Sequence, residues 1–137
     1  MLRISSFCSL IFLVLIVGCS GNNVPLRGTV TFSDDGSPVP TGMVAFTKDG
    51  QTARGDIRPD GTFVVGFERE TDGLPPGLYQ VTVFAENFIE EPPDSGNWRT
   101  EQLIDTKYNN ASTSGMTLDV TPTTRVFDFE VDRFQGR

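Results

Sequence analysis

After residue 24, the chain is dominated by short runs in which apolar and polar residues alternate. A period of two is typical of strands that bury one face, because successive side chains in a strand point to opposite sides of the sheet. In the clearest run, 78–85, one face carries Tyr79, Val81, Val83 and Ala85. The pattern predicts seven strands, at 26–33, 42–47, 52–57, 62–67, 78–85, 116–120 and 126–134.

Turn signals separate these runs. Asp35-Gly36, Asp49-Gly50 and Asp60-Gly61 favour tight reversals, since both central positions of a type I′ hairpin turn need positive φ. The run at 52–57 has few apolar residues, which predicts a strand at a sheet edge. Seven short strands predict an all-β domain, and a β-sandwich in particular, because a single sheet would leave its phenylalanines facing water.

The segment from Glu86 to about Gly115 interrupts this pattern. It is too long for a bare loop in a compact domain, so we expect it to have structure or function of its own. We predict a short helical turn at 98–103. Trp98, the only tryptophan, and Arg99 are candidate binding residues, because an indole stacks on sugar rings and anchors protein partners. The favoured alternative is that Trp98 caps one end of the core.

Tyr108 is a third candidate binding residue. It belongs to the sequence Lys107-Tyr108-Asn109-Asn110, which forms either a binding loop or a turn into the next strand. The asparagine pair favours the turn, since asparagine side chains hydrogen-bond their own backbone in turns.

The N-terminus has a different character. Arg3 is followed by an apolar run from Phe7 to Val17. Eleven residues are too few to span a bilayer as a helix, which takes about 20, but they suit the apolar region of a signal peptide. A polar linker, 20–24, follows Cys19.

The stretch Ile16-Val17-Gly18-Cys19 resembles the lipobox of bacterial lipoproteins. The resemblance implies that residues 1–18 form a signal helix that is removed, that Cys19 is acylated, and that 19–24 link the lipid to a domain at 25–137. Ser20 follows the cysteine in place of aspartate, which by the same resemblance favours the outer membrane. The alternatives are an ordinary secretory signal and an uncleaved anchor.

Composition excludes several activities. Cys8 lies in the segment expected to be removed and Cys19 carries the lipid, so the domain has no thiol for a disulfide, a metal site or a nucleophile. The chain has no histidine, which removes the commonest general base and zinc ligand. The mature chain would carry a net charge of −8, which disfavours nucleic acid and anionic lipid as partners.

Two segments resemble the transthyretin-like sandwich of carboxypeptidase regulatory-like domains, and more closely small lipoproteins of planctomycete-type bacteria built on it. Leu26-Arg27-Gly28-Thr29-Val30, with 42–46 and 58–63, forms one segment, and 74–83 forms the other. Lys107-Tyr108 and Ser114-Gly115-Met116 match the tail of these lipoproteins. The resemblance covers residues 25–134. It implies a seven-stranded transthyretin-like fold and brings no catalytic residues.

Three residues are predicted to have structural roles. Gly61 completes a hairpin turn, and Gly77 ends the rigid sequence Pro75-Pro76-Gly77 that leads into a strand. Tyr79 suits a tyrosine corner, in which the hydroxyl bonds backbone a few residues upstream while the ring packs in the core.

The sequence gives little support to purine hydrolysis or to calcium binding. Purine-degrading hydrolases of the transthyretin-like fold rely on histidines and a Tyr-Arg-Gly-Ser tail, whereas this chain ends Gln135-Gly136-Arg137. Its four Asp-Gly pairs lack the spacing of a calcium-binding loop. We therefore expect no metal and no cofactor.

The sequence thus predicts a lipid-anchored, non-enzymatic module on the periplasmic face of the envelope. Its expected partners are the membrane, through the lipid, and an envelope protein or polysaccharide; a structural role would also fit. The alternatives are a hydrolase that uses two carboxylates and an assembly subunit that adds strands at an exposed edge.

Overall fold

The computed structural model describes residues 22–69 and 71–136. The predicted signal helix and Cys19 lie outside the described residues. The described part is all-β, and its two helices are a single 3₁₀ turn at Thr106–Asn109 and the short helix α1 at Ala111–Ser114. The strands are β1 (Leu26–Phe32), β2 (Gly42–Lys48), β3 (Gln51–Ile57), β4 (Thr62–Val65), β5 (Gly77–Phe84), β6 (Glu86–Glu90), β7 (Trp98–Gln102), β8 (Met116–Val120) and β9 (Phe129–Val131).

Seven of these strands form two sheets. The small sheet has the order β4-β1-β9, and the large sheet has the order β3-β2-β5-β8. Strand β1 pairs antiparallel with β4 and parallel with β9, while the large sheet is antiparallel throughout. β3 is an edge strand of the large sheet, as its polar sequence predicts.

The core lies between the two sheets. Phe46 of β2 meets Phe63 of β4, with ring centroids 6.2 Å apart, and also lies 6.2 Å from Phe127. Phe127 in turn lies 4.9 Å from Phe129. Tilted and edge-on rings at these separations attract each other beyond the effect of burial. The alternation in the sequence predicts these inward faces correctly, since every second residue of β5 from Tyr79 onward is buried.

The turns at Asp49-Gly50 and Asp60-Gly61 include positive φ angles, which the sequence predicts. Asp49 and Gly50 both have positive φ, 50° and 77°, and they join β2 to β3. Gly61 has a φ of 81° in the turn between β3 and β4. This second turn also carries the chain from the large sheet to the small one. Away from the turn, a pair of backbone hydrogen bonds between Arg54 of β3 and Gly66, just after β4, joins the two sheets.

The excursion has structure of its own, as its length predicts. Strands β6 and β7 pair antiparallel in a separate two-stranded sheet, so residues 22–69 and 71–136 contain nine strands, whereas the pattern predicts seven. The predicted helical turn at 98–103 is wrong, because Trp98–Gln102 is strand β7. An extended ribbon lets its backbone groups pair across the hairpin, whereas one isolated helical turn gains a single bond.

The last strand is shorter than predicted. Residues 126–134 were expected to be extended throughout, but the regular ladder covers Phe129–Val131 only. Beside it, the backbone N–H of Thr29 donates to the Asp128 carboxylate at 2.9 Å, so a side chain replaces the backbone acceptor at this point. The predicted inward residues still pack on the core, with Val131 fully buried.

Candidate functional site

The β6–β7 hairpin, which we call the arm, runs from Glu86 to Gln102. Nearly all its residues are exposed, and the partly buried ones lie at Ile89, Glu90 and Gln102. The buried core contains no residue of the arm. The arm therefore projects from the sandwich and is held at its base, where the Leu103 N–H donates to the Ala85 carbonyl at 3.0 Å.

One face of the arm carries two exposed aromatic side chains. Phe88 is opposite Thr100, and Trp98 is opposite Glu90. Because residues opposite each other share a face and residues two apart in a strand do so too, Phe88 and Trp98 lie on the same face in diagonal positions. Phe88 is 68% exposed and Trp98 is 64% exposed.

These exposures correct the favoured interpretation of Trp98. The indole does not cap the core; it stands on the arm in contact with solvent. Large aromatic side chains exposed together on a projecting element are characteristic of interaction sites, since solvent exposure costs them free energy that a partner would recover.

Arg99 lies on the opposite face of the arm. Its Nε donates to the Glu91 carboxylate at 2.5 Å, and both side chains are more than half exposed. An exposed ion pair of this kind contributes little to stability. Trp98 and Arg99 are adjacent in sequence, but they lie on opposite faces of the arm. The residue that shares a face with Trp98 is Phe88, which the sequence analysis does not predict as a binding residue. The signal that could have identified Phe88 is that it is the one aromatic residue between Glu86 and Glu90, in a stretch without the alternation of a core strand.

The tip of the arm is fixed by its own polar groups. The Glu90 carboxylate accepts the Gly96 N–H at 2.6 Å, and the Ser95 hydroxyl accepts the Asn97 N–H at 3.1 Å. The arm carries five acidic residues and one arginine. Its potential is therefore negative, which favours partners that are neutral or basic.

Tyr108 is a core residue and not part of a ligand site. It is 7% exposed, and its hydroxyl both donates to the Asp132 carboxylate, at 3.2 Å, and accepts the Asp132 N–H, at 3.1 Å. Tyr108 is therefore not exposed for a ligand, contrary to the prediction of a binding residue, because its ring is buried and the Lys107 ammonium lies over it. The predicted turn is present as the 3₁₀ helix Thr106–Asn109.

Asp132 is the centre of this polar cluster. The Lys107 ammonium, the Ser33 hydroxyl and the Tyr108 hydroxyl all donate to its carboxylate. The bond from Lys107 is the largest cause that lowers the pKa of Asp132 to about 2. Through Ser33, which directly follows β1, the cluster ties the C-terminal segment to the small sheet, so we assign it a structural role.

The residues predicted to be structural are placed as that role requires. The Tyr79 hydroxyl donates to the Pro75 carbonyl at 2.8 Å, and the residue is 2% exposed. Gly77 has a φ of 149°, and a side chain there would meet Lys48. A Cβ at Gly61 would lie 2.7 Å from the Val30 carbonyl oxygen.

Val24, the last residue of the predicted linker, and the arm lie at opposite ends of the sandwich. Val24 and Leu74 exchange backbone hydrogen bonds of 2.6 and 2.9 Å, so the chain joins the sandwich beside the start of β5. We call the end of the sandwich that contains Val24 and Leu74 the linker end. β5 then runs the length of the large sheet, and the arm leaves from its other end, which we call the arm end. Eight extended residues cover about 26 Å.

Two adjoining open clefts lie on the outer face of the small sheet, beside a third that is lined by Thr31 and Glu130. One has a volume of about 440 Å³ and is lined by Arg27, Arg58, Thr29 and Asp128 among others. The other, about 280 Å³, adjoins it at the linker end, where Pro25, Val64 and Arg125 contribute. Across residues 22–69 and 71–136, no group of three acidic side chains is placed to hold a metal ion.

No helix in the described part of the chain is long and apolar enough to cross a membrane. No family model and no curated protein matches the sequence. Among solved structures, a 9R-lipoxygenase from Cyanothece is similar, with 12% identity and a TM-score of 0.37. The match covers 80% of this chain and 16% of that enzyme's chain, and a similarity this low carries no argument about fold or function.

Proposed function

We propose that this chain is a lipid-anchored, non-enzymatic binding module of the bacterial cell envelope, built on a transthyretin-like sandwich. Cys19 would carry the lipid, and the arm would bind an envelope protein or polysaccharide. The observation that carries the proposal is the pair of exposed aromatic side chains, Phe88 and Trp98, on one face of the arm.

Two sheets of three and four strands support the transthyretin-like part of the proposal. The resemblance at 26–30 and 74–83 implies seven strands, and on this proposal the arm is an insertion between the fifth and sixth strands of the sandwich. Function on an insertion is common, because a rigid scaffold positions loops and hairpins that the core does not constrain.

The opposite placement of linker and arm also supports the proposal. Asn23 donates to the Asp72 carbonyl at 3.0 Å and Val24 pairs with Leu74, so the domain holds the chain from residue 23 onward. Only four residue steps separate Asn23 from Cys19, which is at most about 14 Å. A lipid on Cys19 would keep the linker end close to the membrane, while the arm attaches about 26 Å further along the sandwich.

The anchor is tested by mass spectrometry of the protein purified from bacterial membranes. We expect an acylated Cys19 as the first residue. A chain that retains Met1, or one whose Cys19 is unmodified, would contradict the anchored module.

The binding site is tested with purified peptidoglycan sacculi and with chemical cross-linking in intact envelopes. Trp98→Ala and Phe88→Ala should each weaken binding at least tenfold, as is usual for an aromatic residue at the centre of an interface. Leu78→Ala is the matched control, since Leu78 is 63% exposed but lies on β5 rather than on the arm. Equal binding by all three variants would show that the arm is not the site.

A further inference from the structure

We infer that the arm binds a cationic side chain, arginine or lysine, on a basic segment of an envelope protein. The site is what we call the aromatic face, the side of the arm that carries Phe88 and Trp98. The inference rests on the proposed function, in which the arm is the binding site, and it chooses a basic protein over a polysaccharide.

The backbone pairing brings a carboxylate beside the indole. The Glu91 N–H donates to the Asn97 carbonyl at 3.0 Å, so these two residues form a hydrogen-bonded pair. Because pairs alternate along an antiparallel ladder, the next pair, Glu90 and Trp98, is non-hydrogen-bonded, and its Cβ atoms lie about 5 Å apart. Phe88 lies diagonally across from Trp98, at about 7 Å. Two rings and one carboxylate therefore border the same part of the surface.

A cation is the ligand that suits this set of groups. An ammonium or guanidinium group is attracted to the face of an indole or phenyl ring within about 6 Å of the ring centre. A carboxylate beside the ring adds an ion pair to this attraction. One oxygen of Glu90 accepts the Gly96 N–H at 2.6 Å, which holds the carboxylate in place on the partly buried Glu90 side chain. The other oxygen accepts no hydrogen bond from residues 22–69 or 71–136 and can receive a ligand.

A cation, a ring and a carboxylate already occur together twice in the sandwich. In the cluster around Asp132, the Lys107 ammonium lies 4.9 Å from the centre of the Tyr108 ring. In the second case, the Arg133 guanidinium lies 3.7 Å from the centre of the Phe32 ring and pairs with a neighbouring aspartate. In both places the chain supplies its own cation.

The aromatic face has the rings and the carboxylate without the cation. Arg99, the arginine of the arm, lies on the opposite face and donates to Glu91. In the part of the chain that the structure describes, Glu90 forms no ion pair. The cation that completes the arrangement therefore has to come from a partner.

The charge of the arm favours a basic protein segment as the source of this cation. Sugar rings also stack on indoles, but a neutral polysaccharide gains nothing from an arm that has five acidic residues and one arginine. A basic segment is attracted to such an arm over a longer range, which speeds the encounter and disfavours acidic partners. A second copy of this chain is disfavoured for the same reason, because two acidic arms repel each other.

The test follows binding through the fluorescence of Trp98, the only tryptophan. The full-length protein is purified from bacterial membranes in a non-ionic detergent and titrated with tetra-arginine or with tetra-citrulline. Citrulline has nearly the shape of arginine but no charge. We expect tetra-arginine to change the fluorescence saturably and to bind at least about tenfold more tightly than tetra-citrulline, with an advantage that falls as salt is added.

Two glutamates of the arm provide a matched pair of variants. Glu90→Gln removes the charge beside Trp98 but keeps an oxygen for the Gly96 N–H, and it should weaken tetra-arginine binding about fivefold. Glu101→Gln makes the same charge change on the opposite face of the arm and should leave binding within about twofold of the wild type. Phe88→Leu keeps an apolar side chain without the ring and should weaken binding about threefold.

Equal affinity for the two peptides, or equal effects of Glu90→Gln and Glu101→Gln, would overturn the inference. Thermal melting of each variant shows that it is folded. The binding assays with sacculi and cross-linking separate the two proposals. If their signal depends on Phe88 and Trp98 while tetra-arginine has no advantage, the arm is the site and the cation is wrong. If neither the peptides nor these assays respond to the two aromatic residues, the arm is not the site.

Discussion

Removing the arm should leave the sandwich folded. At its base, the Leu103 N–H donates to the Ala85 carbonyl at 3.0 Å. If Asn-Gly replaces the whole segment Glu86–Gln102, this bond becomes the hydrogen bond between the first and fourth residues of a β-turn. Asn-Gly suits the type I′ geometry that joins two antiparallel strands.

The expected change in stability is small and favourable. Shortening the connection from 17 residues to two removes closure entropy worth about 2 kcal/mol. The loss is slight because no arm residue belongs to the core, and an isolated two-stranded ribbon is only marginally stable. We therefore expect a gain of about 1 kcal/mol, which for a domain of this size raises Tm by about 4 °C.

Calorimetry of the shortened and full-length proteins measures the difference, and the binding assays should show complete loss of arm-dependent contacts. The double variant Phe88→Ala/Trp98→Ala serves as the control, since it keeps the backbone and should melt with the wild type. A shortened protein that melts well below the wild type, or without cooperativity, would refute the conclusion that the arm is independent of the core.

Three further predictions concern the scaffold. Tyr79→Phe keeps the buried ring but removes the hydrogen bond to Pro75, so denaturant unfolding should show a free energy of unfolding about 1 kcal/mol lower. An unchanged free energy of unfolding would argue against a tyrosine corner. Gly61→Ala should lower the free energy of unfolding by about 3 kcal/mol, because the added Cβ meets the Val30 carbonyl oxygen. Gly36→Ala, which has a φ of 72° and open space around it, should lower it by only about 1 kcal/mol, and equal losses would show that the clash at Gly61 is relieved. The pKa of Asp132 is lowered from 3.8 to about 2, so its carboxylate stabilises the fold above about pH 4 and loses this effect as the pH falls toward 2. Asp132→Asn should therefore flatten the pH dependence of Tm between about pH 4 and pH 2, and an unchanged pH dependence would contradict the role of its ion pair.

The sequence predicts well those residues that the core constrains. The alternation from Tyr79 to Ala85 holds because each inward residue is enclosed between two sheets. The Asp49-Gly50 turn was predictable for a related reason, since few residues other than asparagine, aspartate and glycine adopt positive φ at low cost.

The arm could not be predicted in this way. A solvated ribbon has no buried face, so nothing enforces alternation along Trp98–Gln102, and its polar residues suit a helical turn equally well. The connection between its strands, 91–97, is longer than the two-residue turns that mark a hairpin in sequence. For the same reason the sequence did not point to Phe88, because an aromatic residue that is exposed to solvent leaves no periodic pattern.

The placement of charges shows a second limit. Arg27 and Arg125 are 98 positions apart, and the parallel pairing of β1 with the segment that leads into β9 brings them together, with the Arg27 N–H donating to the Arg125 carbonyl at 3.1 Å. Composition gives the sum of the charges, whereas topology decides which of them are neighbours, so a long-range strand pairing of this kind is invisible to a count of charges along the sequence.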